Sequence, residues 1–417
     1  MDGARTRGHP AALAAVRSMI LGRAPHAVLL VGAAGVGKTT LALDLAAGLL
    51  CTADDATTRP CGACRACRLV ASGGHPDLHR IGPDGPGRQV VIGGPGAKVR
   101  GIRDLIGDLA LLPVEGGARV AIVESAHRMN EDAQAALLKT LEEPPQGVTI
   151  VLCADAEEPL LPTIRSRCAR LRLGPVAVRE IESILGEHEA AEPPLAARLA
   201  RISAGRPGLA LAWARQPDAL RARDELSRTL LDLLTAPPSE RLAGLRAAVP
   251  RATILAGLAD PGASGAAATV AVTRPRRGTP AATATATAAQ AVVAATDPGT
   301  TDSGAPATAD AEDAGDMGGP VRTPATERRR AADALVGLWA DVARDLALAQ
   351  RGLARSVRDL ALLDETVALG ARLDASELTS FLDRLGRAGV LIASNVSPEL
   401  VLDDLVLAWP RPRPAAA

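Results

Sequence analysis

A buried strand, a glycine loop and a helix follow one another between Ala27 and Leu50, and no other stretch limits the fold so tightly. Ala27 to Val31 are apolar without a break, as in a strand covered on both faces. Gly32-Ala33-Ala34-Gly35-Val36-Gly37-Lys38-Thr39 fits G-x-x-x-x-G-K-[ST], and Leu41, Leu45 and Leu49 then share one helical stripe. Gly32, Gly35 and Gly37 let the backbone turn its N–H groups into one hollow. The helix N-terminus, starting near Lys38, Thr39 and Thr40, adds positive potential there. Lys38 can reach the β- and γ-phosphates and Thr39 can hold Mg²⁺. ATP or ADP with Mg²⁺ is the expected cofactor; the plain alternative is an ordinary glycine-rich turn.

Lysine usage sharpens this reading. Lysine and arginine together number 47, yet lysine stands only at positions 38, 98 and 139. A chain that uses arginine almost everywhere keeps a flexible point charge at 38, where a planar guanidinium is no substitute. Net charge is zero and aromatics are 1%, so neither a global field for nucleic acid nor a stacking platform for single strands is expected. No apolar run approaches the length of a membrane span. The N-terminal segment carries Arg17 inside its apolar stretch and reads as a helix from Pro10 to Leu21, not a signal peptide. A cytoplasmic setting with reduced cysteines follows.

Four of the six cysteines crowd into one short insert, as Cys51-x9-Cys61-x2-Cys64-x2-Cys67. The insert has little apolar material of its own. Four thiolates at these spacings suit a tetrahedral, structural Zn²⁺ that replaces a core. An iron–sulfur cluster is the rival, since C-x2-C-x2-C also occurs in ferredoxins. There the next cysteine lies downstream before a proline; here the fourth lies upstream. His75 reads as the start of a strand and not as a ligand.

His75–Ile81 and Val90–Ile92 read as strands and Val99–Leu111 as an amphipathic helix. Arg119–Glu124 is a further strand, ending in Glu124-Ser125. Asn130 then caps a helix with Glu131 and Asp132 in its first turn. Val148–Ala154 is a strand, and Leu160–Arg170 a helix or turn before Leu171–Leu173. Strands alternating with helices predict an α/β fold with a parallel sheet covered on both faces.

Taken in order, HAVLLVGAAGVGKTT, the four-cysteine insert, GGHPDL, QAALLKTLEEPP and TIRSRC resemble the AAA+ module of bacterial clamp-loader subunits of DNA polymerase III. The resemblance is close over the first half of the chain and holds in outline beyond. It implies an AAA+ P-loop module over residues 1–174, a small helical lid over 175–215 and an all-α collar domain over 216–257 and 328–410. Between the collar parts, residues 258–327 are Ala, Thr, Gly and Pro with few large apolar side chains, and read as a disordered insert. The implied partners are gamma/tau and delta subunits in a hetero-oligomeric ring, with the sliding clamp and primed DNA reached through the complex.

Hydrolysing members of the family carry Asp-Glu where this chain has Glu124-Ser125. Glu124 can still hold Mg²⁺ through a water. Ser125 cannot take a proton from water at a useful pKa, so a catalytic carboxylate would have to come from elsewhere. The sensor arginine of motor subunits falls at Gly208, with Arg206 two residues away. The pattern resembles the delta-prime type, a largely non-hydrolysing stator; a gamma/tau-type motor is the alternative. A stand-alone P-loop phosphotransferase is a third class, disfavoured by insert, lid and collar. Arg167, in SRC, resembles the arginine that reaches a neighbouring subunit's ATP, with a local ion pair as the plainer reading. Lys139 is open between a buried pairing with Glu142 or Glu143 and a contact with DNA or a partner.

Overall fold

The computed structural model describes residues 3–84, 88–115, 117–258, 324–394 and 396–414. Helix α1 (Pro10–Leu21) precedes strand β1 (Ala27–Val31), and α2 (Lys38–Leu50) follows the glycine loop. Then come α3 (Arg65–Ser72), β2 (Leu78–Ile81), α4 (Ile102–Leu109), β3 (Arg119–Val123), α5 (Glu131–Glu142), β4 (Val148–Ala154), α6 (Pro162–Arg167) and β5 (Ala169–Arg172). The five strands form one parallel sheet in the order β2-β3-β4-β1-β5.

The pleat sorts β1 between two cores. Val28 and Leu30 pack with Val16 of α1 and with Leu41 and Leu45 of α2; Ala27 and Leu29 face Leu105 of α4 and Leu137 of α5. Fully burying such a leucine stabilises the fold by about 2 kcal/mol, and both faces collect many. The carboxyl ends of β1, β3 and β4 consequently lie side by side, where parallel sheets bind ligands. A parallel sheet with the glycine loop directly after β1 is the covered α/β fold expected from the sequence.

Several expected boundaries move. Val90–Ile92 is not a strand: Val90 makes one parallel bridge to Met129, and Gly93, Gly94 and Gly96, all at positive φ, turn the chain away. β2 starts at Leu78 and not at His75, because the His75 ring accepts the Asp77 N–H at 3.1 Å in a turn. α4 spans only Ile102–Leu109, leaving Leu111 and Leu112 exposed. β5 begins at Ala169, earlier than Leu171.

Beyond the sheet the chain is helical. α7 (Val178–Glu187), α8 (Pro193–Ile202) and α9 (Pro207–Arg215) enclose Ile181, Leu185, Leu199 and Trp213. α10 (Pro217–Asp232), α11 (Pro238–Leu258), α12 (Ala325–Gln350), α13 (Leu363–Gly370), α14 (Ala375–Ala393) and α15 (Pro398–Ala408) share a further core. At its centre the Trp339 and Trp409 rings meet edge-on at 5.5 Å, and Phe381 lies 4.5 Å from Trp409. The buried Arg241 guanidinium donates to the carbonyls of Leu234 and Trp409 at 2.7 and 2.5 Å, tying α11 to the end of α15. The expected insert at 258–327 lies outside the described residues except at its edges. There it was drawn too wide: Leu258 ends α11, and Ala325–Glu327 already belong to α12. Among the described residues no helix is long and apolar enough to cross a membrane.

Candidate functional site

The loop after β1 is shaped by its glycines. Gly35 and Gly37 have φ of 77° and 113°, a region that favours glycine. Gly32 answers to close approach instead: a Cβ there would lie 2.5 Å from the Leu173 carbonyl oxygen. His9, ahead of α1, donates from Nε2 to the Val36 carbonyl at 3.0 Å. Gly37 caps α2, whose first residues are Lys38, Thr39 and Thr40.

The register of β1 on β4 sets Val31 beside Ala154, and the Gly32 N–H donates to the Ala154 carbonyl at 3.2 Å. Asp155, the residue after β4, therefore emerges next to the loop. Lys38 Nζ donates to the Gly32 carbonyl (2.6 Å), the Ala33 carbonyl (2.9 Å) and Asp155 Oδ1 (2.7 Å). An ammonium has three N–H donors, and all are used. Behind Asp155 stands His127, in the turn after β3. Its Nδ1 accepts the Asp155 N–H at 3.1 Å, and its Nε2 lies 3.6 Å from Oδ2.

At the end of β3 the same pattern recurs. Glu124 Oε1 accepts from Arg80 of β2, through Nε at 2.9 Å and through Nη2. Ser125 follows in a left-handed conformation, φ 53°. Facing the loop from the far side is Gly208 in the first turn of α9, whose N–H donates to the Gly35 carbonyl at 2.8 Å. A Cβ on Gly208 would stand 3.0 Å from that oxygen, a tight approach that a larger residue meets only if the loop gives by a few tenths of an ångström. Arg206 is engaged elsewhere, donating to the Ser203 carbonyl at 3.0 Å.

The four cysteines form a separate cluster. Cys51 closes α2, Cys64 caps α3 and Cys67 lies in its first turn. The Sγ atoms of Cys51, Cys61, Cys64 and Cys67 all lie within 4.8 Å of one another. Cys51 to Cys64 is 3.8 Å and Cys61 to Cys67 is 4.0 Å. Thiolates held tetrahedrally at ~2.3 Å from zinc stand ~3.8 Å apart, so both edges fit. The Cys61 Sγ accepts the Cys64 N–H at 3.3 Å and the Cys64 Sγ accepts the Cys67 N–H at 3.4 Å. Burial pushes the Cys51 and Cys67 thiols up; at Cys64 burial is outweighed by donors from the Cys67 and Thr52 backbone, bringing it down to about 5. The cluster can hold a metal ion. His75 stays apart from it, turned to Asp77.

Arg167 ends α6. Its Nη2 lies 2.8 Å from Glu142 Oε1, and Nη1 donates to the Thr163 carbonyl at 3.1 Å. The local ion pair is thus present in the isolated chain, with the guanidinium side chain still 35% exposed. Lys139 is exposed, which goes against the buried one of its two open readings, and the Glu142 carboxylate pairs with Arg167. Sequence reading missed Asp155, His127 and Arg80. The one available signal was that Asp155 directly follows a buried strand, at the end where such sheets place functional groups.

A family model described as "DNA polymerase III, delta subunit" matches residues 9–177. The delta-prime subunit of DNA polymerase III from Pseudomonas aeruginosa is 40% identical over 158 residues, 37% of this chain and 46% of that protein. The delta-prime subunit of Escherichia coli is 35% identical over 215 residues, 52% of this chain and 62% of that protein. The tau subunit of Escherichia coli is 38% identical over 197 residues, 46% of this chain but 29% of that protein. The chain thus spans less than two thirds of each relative's length. A solved DNA polymerase III gamma subunit-related protein from Thermotoga maritima aligns over 95% of this chain and 98% of that one, at 17% identity and a TM-score of 0.35. The matched residues 9–177 hold the glycine loop, the cysteine cluster and Arg167 together, and over that region the chain is similar to bacterial DNA polymerase III clamp-loader subunits of both the delta-prime and the tau/gamma kind.

Proposed function

We propose that this chain is a delta-prime-type stator: a largely non-hydrolysing member of a hetero-oligomeric ring with gamma/tau and delta subunits, helping to load the sliding clamp on primed DNA. The observation that carries this reading is the end of β3, where Ser125 stands in place of a catalytic carboxylate and Glu124 is engaged by Arg80. Ser125 cannot take a proton from water at a useful pKa. In this reading residues 1–174 form the AAA+ module, 175–215 the lid, and 216–257 with 328–410 the collar.

Gly32, Ala33, Ala34, Gly35, Val36, Gly37, Lys38, Thr39 and Thr40 would hold a nucleotide, with Thr39 and Glu124 toward its Mg²⁺; when bound, it supplies a charged ligand at the loop. Cys51, Cys61, Cys64 and Cys67 would hold one zinc ion, which supplies a cross-link where the insert lacks a core.

Arg167 is the residue offered to a neighbour. A guanidinium can stabilise charge building on a γ-phosphate with paired N–H donors, which lysine cannot match. Such arginines are worth about 10³-fold or more in rate. Arg167→Ala should leave fold, metal content and nucleotide binding of this chain intact, and lower the DNA- and clamp-stimulated ATPase of the reconstituted complex. Arg167→Lys should rescue it poorly. Normal hydrolysis and clamp loading with Arg167→Ala would reduce Arg167 to the partner of Glu142. The gamma/tau motor reading draws on the complete P-loop motif and the likeness to tau. A steady-state ATPase in the isolated chain, lost with Lys38→Ala, would favour it.

A further inference from the structure

We propose that Asp155 is an internal stand-in for phosphate on Lys38, and that it sets this loop against nucleoside triphosphates. The proposal rests on the reading of Gly32–Thr39 as a nucleotide loop and assigns that loop its selectivity.

Lys38 has nothing left to give. Its three donors go to two carbonyls of its own loop and to the Asp155 carboxylate, and the residue is only 8% exposed. A phosphate oxygen can gain the ammonium only by displacing one of these partners. The carbonyls belong to the loop backbone, whose path is fixed by β1 and by the bond to Ala154. Asp155 is the partner that can leave, because its side chain is 38% exposed and opens to solvent.

Displacement does not remove the opposing charge. The Asp155 backbone is anchored by its N–H to His127 Nδ1, and its position after β4 is fixed by the pairing of β4 with β1. The released carboxylate therefore stays on the flank of the loop, facing whatever took its place. Like charges brought together without a cation between them oppose binding, more strongly as ligand charge rises. Diphosphate and triphosphate both compete for Lys38; triphosphate brings more negative charge to the same flank.

The second acid of the site does not play this part. Glu124 is held by Arg80, on the opposite side of β3 from β4, so the counter-charge for the loop lysine comes from β4. Asn in place of Asp155 would keep a carbonyl oxygen to accept from Lys38 and delete the charge alone.

The test is equilibrium binding of MgATP and MgADP to the full chain, with wild type, Asp155→Asn, Asp155→Ala and Lys38→Ala, together with melting of each nucleotide-free protein. Asp155→Asn should bind ATP on the order of tenfold more tightly than wild type, and gain less for ADP. Its nucleotide-free melting temperature should fall, because Lys38 loses its counter-charge, and ATP should restore it. Asp155→Ala should show the same preference, which separates charge from hydrogen bonding. If both variants bind ATP no better than wild type while Lys38→Ala still abolishes binding, Asp155 is an ordinary ion pair and the proposal fails alone. If Lys38→Ala changes nothing, or if neither wild type nor Asp155→Asn takes nucleotide, the nucleotide-loop reading fails with it. A turnover rate that disappears with Asp155→Asn would make Asp155 the missing base and overturn the stand-in.

Discussion

The glycine loop and the cysteine cluster lie at opposite ends of α2, and they treat their functional groups in opposite ways. At the loop, every charge has an internal partner: Lys38 has Asp155, and Glu124 has Arg80. At the cluster, four soft ligands converge at 3.8–4.0 Å along two edges with weak thiol contacts between them. Burial raises two of these thiols and so favours their neutral form, and a bound cation would offset that by stabilising the thiolates. One site is complete as folded; the other is drawn toward a metal. Both descend from motifs that look equally intact in the sequence, so an intact motif measures ancestry, and the partners of its charges measure use.

Three experiments can break or sharpen this contrast. The largest effect belongs to the cluster. Zinc binding to finger peptides is worth about 10–16 kcal/mol near neutral pH, and here it would hold the insert together. Purified protein should contain about one zinc per chain. Chelation or Cys67→Ser should abolish amide protection in α3 while β1, β3 and β4 stay protected. Iron in the preparation, or an insert indifferent to chelation, would erase the contrast. A smaller effect is expected at the loop. A double-mutant cycle of Lys38→Ala and Asp155→Ala, read by denaturant unfolding, should give a coupling of about 1 kcal/mol, since the pair is partly open to water. Zero coupling would mean the loop is not internally neutralised. The smallest concerns Arg80→Gln. Its pair with Glu124 is solvent-exposed on the arginine side, so stability should change by no more than about 0.5 kcal/mol. A loss of several times that would show Arg80 supporting the strand ends and not merely neutralising Glu124.

What sequence could and could not reveal follows from the range of each interaction. β1, β4, α1 and the Asn130 cap were legible because their signals repeat or complete themselves within a few residues. The cysteine cluster was legible from spacing. The pairs that define the loop's state were not: Asp155 lies 117 residues from Lys38, and Arg80 lies 44 from Glu124. Neither pairing has a period or a motif; each exists because β4 and β2 add to the sheet on particular sides. Val90–Ile92 misled for a related reason, since three apolar residues look like a strand until the glycines after them are placed. The partner of Arg167 was half legible: a local ion pair stood as the plainer alternative, but without Glu142, which was named only as one possible partner of Lys139.

The seat of Gly208 on Gly35 bears finally on ancestry and its reversal. An arginine placed at 208 would bring its Cβ to 3.0 Å from the Gly35 carbonyl oxygen, so the seat of α9 on the loop would have to give by a few tenths of an ångström beside its 2.8 Å backbone hydrogen bond. Ser125→Glu alone would set a carboxylate beside an acid already claimed by Arg80. On the stator reading neither step improves the chain by itself, and a lineage of single substitutions finds no uphill path back to hydrolysis. On that reading Gly208 works as a ratchet, because the start of α9 rests on the very loop that a larger residue there would have to crowd.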